Sequence, residues 1–194
     1  MTYTSTSNPL YVAEVPQDLL RSLRATGRLG MTLLPGKQGK ALMASGSHAR
    51  DLTTDLEGLR SLYGGGIMVS LIEPQEYRDW GLGSLDEYSE ALVRCDFELR
   101  SLAIPDMGVP GSHQAAQWRD LVLEVTSRLR AGEKVIVHCL GGLGRTGMLV
   151  GCVLVELGLE PEEAVRVTRA ARPGAIQTSG QEREIRRYEE KTRR

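Results

Sequence analysis

The chain has 194 residues, 41% hydrophobic and 25% charged, with a net charge of −1. That is enough for one domain with a substantial core. The charge balance excludes the basic field that recruits nucleic acid or an anionic membrane surface.

No apolar run reaches the length of a membrane span. The start, MTYTSTSNPLY, lacks a secretory leader's basic residues and apolar stretch. Three scattered cysteines (Cys95, Cys139, Cys152) make a poor disulfide framework, so a reducing, cytoplasmic setting is expected. There is no CxxC or HExxH, and His48, His113 and His138 lie far apart in sequence, so no metal site is expected.

Residues 1–27 read as a polar extension, packed on or near a single domain spanning 28–194, with one short helix at Gln17–Arg24. Arg28–Gly36 reads as a strand stopped by Pro-Gly. Residues 37–49 look like loop, and Arg50–Tyr63 carries Leu52, Leu56, Leu59 and Leu62 at helical spacing. Ile67–Ile72 is a continuous apolar run, as in a strand buried on both faces.

Ser84–Cys95 reads as a helix whose Ser84 and Glu87 form a capping box. Phe97–Ile104 reads as a strand, and Pro105–Gly111 as a proline-stiffened loop. Ser112–Gly132 reads as a capped amphipathic helix with a glycine stop. Lys134–His138 is a short buried strand, followed by a glycine loop and an apolar helix at Arg145–Gly158. Pro161–Arg172 starts with proline and acids and ends in arginine, as the helix dipole favours. A charged helix closes the chain from Gln181. The alternation points to one α/β domain.

The chemistry sits in Val135–Met148, VIVHCLGGLGRTGM. Gly142-Leu143-Gly144-Arg145-Thr146-Gly147 matches the dinucleotide fingerprint GxGxxG after a strand. The following helix leads into another helix, so the second strand and its ribose-binding acid are missing. A nucleoside-triphosphate loop would need glycine where Cys139 stands and lysine where Arg145 stands.

A third reading uses every residue. Cys139 and Arg145 bracket a loop whose amides, from Leu140 through Gly141, Gly142 and Leu143 to Gly144, form a nest for one phosphate dianion. The helix starting at Arg145 adds its N-terminal dipole. The glycines permit the tight wrap. A thiol at the bottom of such an electropositive bowl is favoured as thiolate, so the loop activates the nucleophile and holds what it attacks.

The run His138-Cys139-x-x-Gly142-x-x-Arg145-Thr146-Gly147 resembles the HCxxGxxR[ST]G motif of cysteine-dependent tyrosine and dual-specificity phosphatases. Gly30–Lys37, GGLGR and Gly174–Thr178 are similar to its cyclin-dependent-kinase-associated branch. The resemblance implies a central, mainly parallel sheet with helices on both sides. It also implies metal-independent, cofactor-free hydrolysis of phosphoprotein monoesters through a phosphocysteine. A kinase partner is implied by resemblance only.

A leaving alkoxide or phenolate needs a proton. Asp106, in a Pro-Asp pair just past a strand end, resembles the family's general-acid loop; Asp96 and Glu98 fall near the opposite end of that strand. Gln177 and Gln181 resemble the QTxxQ loop, with Gln177 expected to position the hydrolytic water. Arg145 should grip two phosphate oxygens with its planar fork. Thr146 should donate to the cysteine sulfur, and His138 should orient the loop rather than act as a base.

The loop interior carries no extra basic residue, which disfavours phosphoinositides, and Gly144 stands where the RNA triphosphatase branch has asparagine. A chain this short points to a shallow site open to phosphoserine, phosphothreonine and phosphotyrosine. The opposing readings are a silent phosphate-capture module and a phosphatase acting on a small non-protein phosphoester. A cysteine-based reductase would want a resolving thiol. Cys152 stands thirteen residues down the same helix, about 20 Å away and too far to bridge.

Overall fold

The computed structural model describes residues 1–40 and 46–192. In chain order the elements are β1 (Thr2–Tyr3), β2 (Ala13–Glu14), α1 (Gln17–Ser22), β3 (Arg28–Thr32), β4 (Gln38–Lys40), β5 (Ser47–Ala49), α2 (Leu52–Tyr63) and β6 (Gly66–Ser70). There follow α3 (Pro74–Asp79), α4 (Leu85–Arg94), β7 (Phe97–Ser101), a 3-10 turn at Ser112–Gln114, α5 (Ala115–Arg130) and β8 (Lys134–His138). The chain ends with α6 (Gly144–Glu156), α7 (Pro161–Ala171) and α8 (Ser179–Thr192).

The main sheet has five strands in the order β2-β3-β8-β6-β7. Only β2 is antiparallel, at the edge. The four parallel strands are held in register, so Thr32, His138, Ser70 and Ser101 form one row at their carboxyl ends. Ligands of open parallel sheets bind beyond this end.

α6 packs on β3 and β8 and gathers α5, α7 and α8 around it; α4 packs on β7 with α2 and α3 beside it. The result is the α/β fold with helices on both sides of a mainly parallel sheet. Residues Gly144 to Val155 are all buried. Each buried Leu or Val there stabilises by about 1.5–3 kcal/mol. Cys152 belongs to this core.

Several local signals are realised. Ser84 and Glu87 exchange capping-box bonds at α4. Asp51, just before α2, accepts from the amide of Thr54 at 2.7 Å. The helix expected from Ser112 is capped differently: the Gln114 side chain accepts from the Gly111 amide at 3.0 Å and donates to the Ala103 carbonyl at 2.7 Å.

Residues 37–49 are not simply loop. β4 and β5 pair antiparallel, and β1 joins β5 to make a second, three-stranded sheet. Residues 41–45 lie outside the described residues. Strands this short leave no alternation to read. The N-terminal segment also enters the core, through buried Ala13, Val15, Leu20 and Ala25.

Candidate active site

The site forms at the carboxyl end of the sheet, where the segments after β3, β6, β7 and β8 meet. His138 ends β8 and is fully buried. Its Nε2 lies 3.1 Å from the Tyr88 hydroxyl and its Nδ1 3.4 Å from the Cys139 carbonyl. With Nδ1–H donating to that carbonyl, Nε2 accepts from Tyr88. Burial, aided by the Arg145 charge and opposed by that backbone bond, pushes its pKa down to about 3. It is a neutral strut, too weak a base to take the proton of a thiol.

Cys139 follows, 3% exposed, on the cleft floor. The loop carbonyls are held from outside. Leu140 O accepts from the Leu34 amide at 3.4 Å and from Lys37 Nζ at 3.5 Å. Gly141 O accepts from Arg172 at 3.2 Å. Leu143 O accepts from the amides of Gly147 and Ile176 at 2.8 and 3.3 Å. In a trans peptide the C=O and following N–H point oppositely. Outward carbonyls at 140, 141 and 143 therefore turn the amides of 141, 142 and 144 inward, as an anion nest requires.

Gly142 has φ 68, and a Cβ there would stand 2.2 Å from the Thr32 carbonyl. A Cβ on Gly144 would meet the side-chain amides of Gln177 and Gln181, both at 2.8 Å. The glycines let strand and glutamine loop close on the bowl.

Arg145 is fully buried as a side chain. Its guanidinium donates to both oxygens of Glu76 at 2.6 and 2.9 Å, to Asp106 at 2.8 Å, and to the Ile104 carbonyl at 3.0 Å. Burial opposes its charge, but the bonds from Glu76, then the Cys139 and carboxylate charges, hold its pKa above the ordinary value. Thr146 is buried beside it, and its hydroxyl has no hydrogen-bond partner among the described residues. The expected bond to the cysteine sulfur is not formed.

Asp106 is brought to the same place, with a half-exposed side chain. Its loop is clamped to the glutamine loop: Gln181 Nε2 donates to the Gly108 carbonyl at 3.3 Å. Gln181 Oε1 accepts from the amides of Gln177 and Thr178, at 2.9 and 3.2 Å. Gln181 thus ties the two loops together, while Gln177 lines the cleft with Cys139 and Asp106. Asp96 and Glu98 lie toward the start of β7 and pair with Arg60 and Arg100, each at 2.7 Å.

Sequence reasoning missed three contributors. Glu76 stands on α3, whose Pro74 start and Glu73–Glu76 capping box were a readable signal. Lys37 follows a Pro-Gly turn, where a single lysine carries no pattern. The third is the wall of the cleft, formed by Tyr3 and residues 7–11. It is anchored where Thr32 donates to the Tyr11 carbonyl at 3.0 Å and Arg50 to the Asn8 carbonyl at 2.9 Å. The cleft measures about 900 Å³.

Among the described residues no cluster of three or more His, Cys, Asp or Glu side chains could hold a metal ion. Among them, too, no helix is long and apolar enough to cross a membrane. All three cysteines are buried and free of disulfides.

A family model described as a polymorphic toxin system DSP-PTPase phosphatase matches residues 51–159. The chain is 31% identical over 168 residues to cyclin-dependent kinase inhibitor 3 of Homo sapiens, covering 84% of this chain and 72% of that protein. It is 48% identical to protein tyrosine phosphatase domain-containing protein 1 of Mus musculus over 63 residues, 32% of this chain and only 8% of that relative's length. Kinase associated phosphatase, solved with its catalytic cysteine replaced by serine, superposes with a TM-score of 0.79 at 24% identity, covering 95% of this chain and 96% of that one. Tk-PTP in its active form gives 0.65 at 26% identity, covering 92% and 97%.

Proposed function

The chain belongs to the family of dual-specificity and tyrosine phosphatases, and on that footing we propose that it hydrolyses phosphoprotein monoesters through a phosphocysteine on Cys139. The observation that carries this reading is convergence. Cys139, Asp106 and Gln177 line one cleft, and Asp106 is bonded to Arg145 behind it.

In the first step the Cys139 thiolate attacks phosphorus, the S–P bond forms, and the bond to the leaving oxygen breaks. The inward amides of Gly141, Gly142 and Gly144 and the Arg145 fork hold the phosphate oxygens as charge spreads over them. A dianion that takes the Nη2 of Arg145 displaces Asp106 from it. The freed carboxyl, protonated, gives its proton to the leaving oxygen. In the second step water attacks phosphorus, Asp106 takes its proton, Gln177 orients it, and the S–P bond breaks to release inorganic phosphate.

The substrates are phosphoserine, phosphothreonine and phosphotyrosine in proteins. The cytoplasm, where phosphoproteins and reduced thiols coexist, fits this chemistry. A kinase partner rests on the names of relatives alone.

The test is phosphate release from an aryl phosphate and from phosphopeptides, in EDTA and reductant. Wild type should turn over, Cys139→Ser should be inactive on both, and Asp106→Ala strongly impaired on the phosphopeptides. Vanadate binding without turnover by the wild type would instead favour a capture module. Activity on small phosphoesters but not phosphopeptides would replace the substrate class.

A further inference from the structure

The cation supplied by the motif, Arg145, is engaged twice over by carboxylates, Glu76 and Asp106. A thiolate at Cys139 and a dianion above it therefore call for a second positive charge. Lys37 lines the same cleft and is only 3% exposed. Its Nζ donates to the carbonyl of Leu140, the residue after the nucleophile, at 3.5 Å, and lies 4.5 Å from the centre of the Trp80 ring. Among the described residues no carboxylate forms an ion pair with it. A buried ammonium without a counter-charge costs several kcal/mol, so its negative partner must be supplied by the site itself. Burial pushes the Lys37 pKa down, and the charges that pull it back up are Cys139 and Asp106.

Its position is built rather than incidental. Gly36, at φ 73, turns the chain and donates its amide to Asp55 at 2.9 Å. Asp55 is locked to Arg50 in a buried ion pair at 2.7 Å, and the Arg50 amide donates to the Lys37 carbonyl at 3.2 Å. Of the other cations near the cleft, Arg50 is bound to Asp55. Arg172 lies behind the loop and donates to the carbonyls of Met31 and Gly141; burial pushes its pKa down and the Cys139 charge pulls it back up. Burial, then the charges of Lys37 and Arg50, push His48 toward its neutral form, and His138 is neutral.

We propose that Lys37, from outside the cysteine–arginine motif, is the charge-compensating cation that lines this cleft. Its ammonium stabilises the Cys139 thiolate and draws the phosphomonoester dianion into the bowl. The second half of this statement rests on the phosphatase reading; the first does not.

The experiment is the pH dependence of Cys139 alkylation by iodoacetamide, read on the Cys139 peptide by mass spectrometry. Wild type, Lys37→Met and Lys37→Arg are compared, each with a melting curve. Losing an opposite charge near a thiolate disfavours its charged, reactive form. Lys37→Met should therefore slow alkylation roughly tenfold on the acid side, raise KM for an aryl phosphate, and be rescued by Lys37→Arg. A folded Lys37→Met variant whose profile superimposes on wild type would overturn the proposal. So would Lys37→Arg failing as badly as Lys37→Met, since packing on Trp80 would then explain the residue. If Lys37→Met does not fold, Lys37→Gln is read in its place. An inactive wild type whose alkylation still depends on Lys37 would defeat the phosphatase reading and leave the thiolate pairing standing. An active wild type with a Lys37-independent profile would do the reverse.

Discussion

Arg145 and Glu76, 69 residues apart, meet in a bidentate pair at 2.6 and 2.9 Å. The arginine is fully buried and the glutamate nearly so. The pair fixes the plane of the guanidinium before any phosphate arrives, and the same Glu76 carboxylate caps α3 through the Glu73 amide at 2.8 Å. One side chain thus fastens α3 to the floor of the site.

Breaking a buried pair by removing one charge costs about 3–5 kcal/mol. Glu76→Gln should sit near the low end, roughly 3 kcal/mol, because Asp106 still faces the guanidinium. Thermal unfolding would register this, and added inorganic phosphate should restore part of the loss through binding to the native state. An unchanged melting temperature would remove Glu76 from the account.

Asp106→Asn keeps the shape of the acid loop and removes the transferable proton. General acids contribute typically about 10²–10⁴-fold. The loss in kcat should be near the upper end for alkyl phosphates, whose leaving groups need the proton most. For an activated aryl phosphate it should be small. Equal losses on both substrate types would point to a structural role.

The glycines of the loop are not equivalent. Gly142→Ala places a Cβ 2.2 Å from the Thr32 carbonyl in a left-handed backbone, where L residues pay about 1–2 kcal/mol before any clash. It should lower the melting temperature sharply and abolish phosphate release. A Cβ on Gly141 meets nothing within 4 Å, so Gly141→Ala should fold with near wild-type stability. The pair of melting curves decides whether the bowl is wrapped as described.

His138, with its folded pKa near 3, binds its proton more readily when unfolded, where the ordinary value is about 6.5. The unfolded state therefore holds more protons between these values, and stability rises with pH across that window. Its contribution is intact above about pH 6.5 and is lost as pH falls toward 3, at about 1.4 kcal/mol per pH unit. Denaturant melts from pH 7 to 4.5 should show this slope, and His138→Gln should flatten it. An identical slope in the variant would mean that carboxylates elsewhere carry the acid sensitivity.

Much of the site was legible because its chemistry is contiguous: His138 through Gly147 supply the strand end, thiol, nest and arginine in one stretch. Asp106 and Gln177 lay in short stretches of their own, readable only once the cysteine loop had raised the question of acid and water. Ser84 and Glu87 announced α4 by a strictly local rule. The start of α3 was readable, but not that Glu76 faces Arg145, nor that Lys37 reaches the cysteine loop. Glu76 and Lys37 act across the fold from single positions with no periodicity. The wall of Tyr3 and residues 7–11 depends on strands of two or three residues, too short to alternate.

The central claim is a covalent bond between phosphorus and Cys139. Acid quench during turnover of a radiolabelled phosphopeptide, followed by mapping of the labelled protein, tests it directly. Label should reside on the Cys139 peptide in the wild type, accumulate in Gln177→Ala as hydrolysis slows, and vanish in Cys139→Ser. Turnover without label on Cys139, or turnover persisting in Cys139→Ser, would contradict the account.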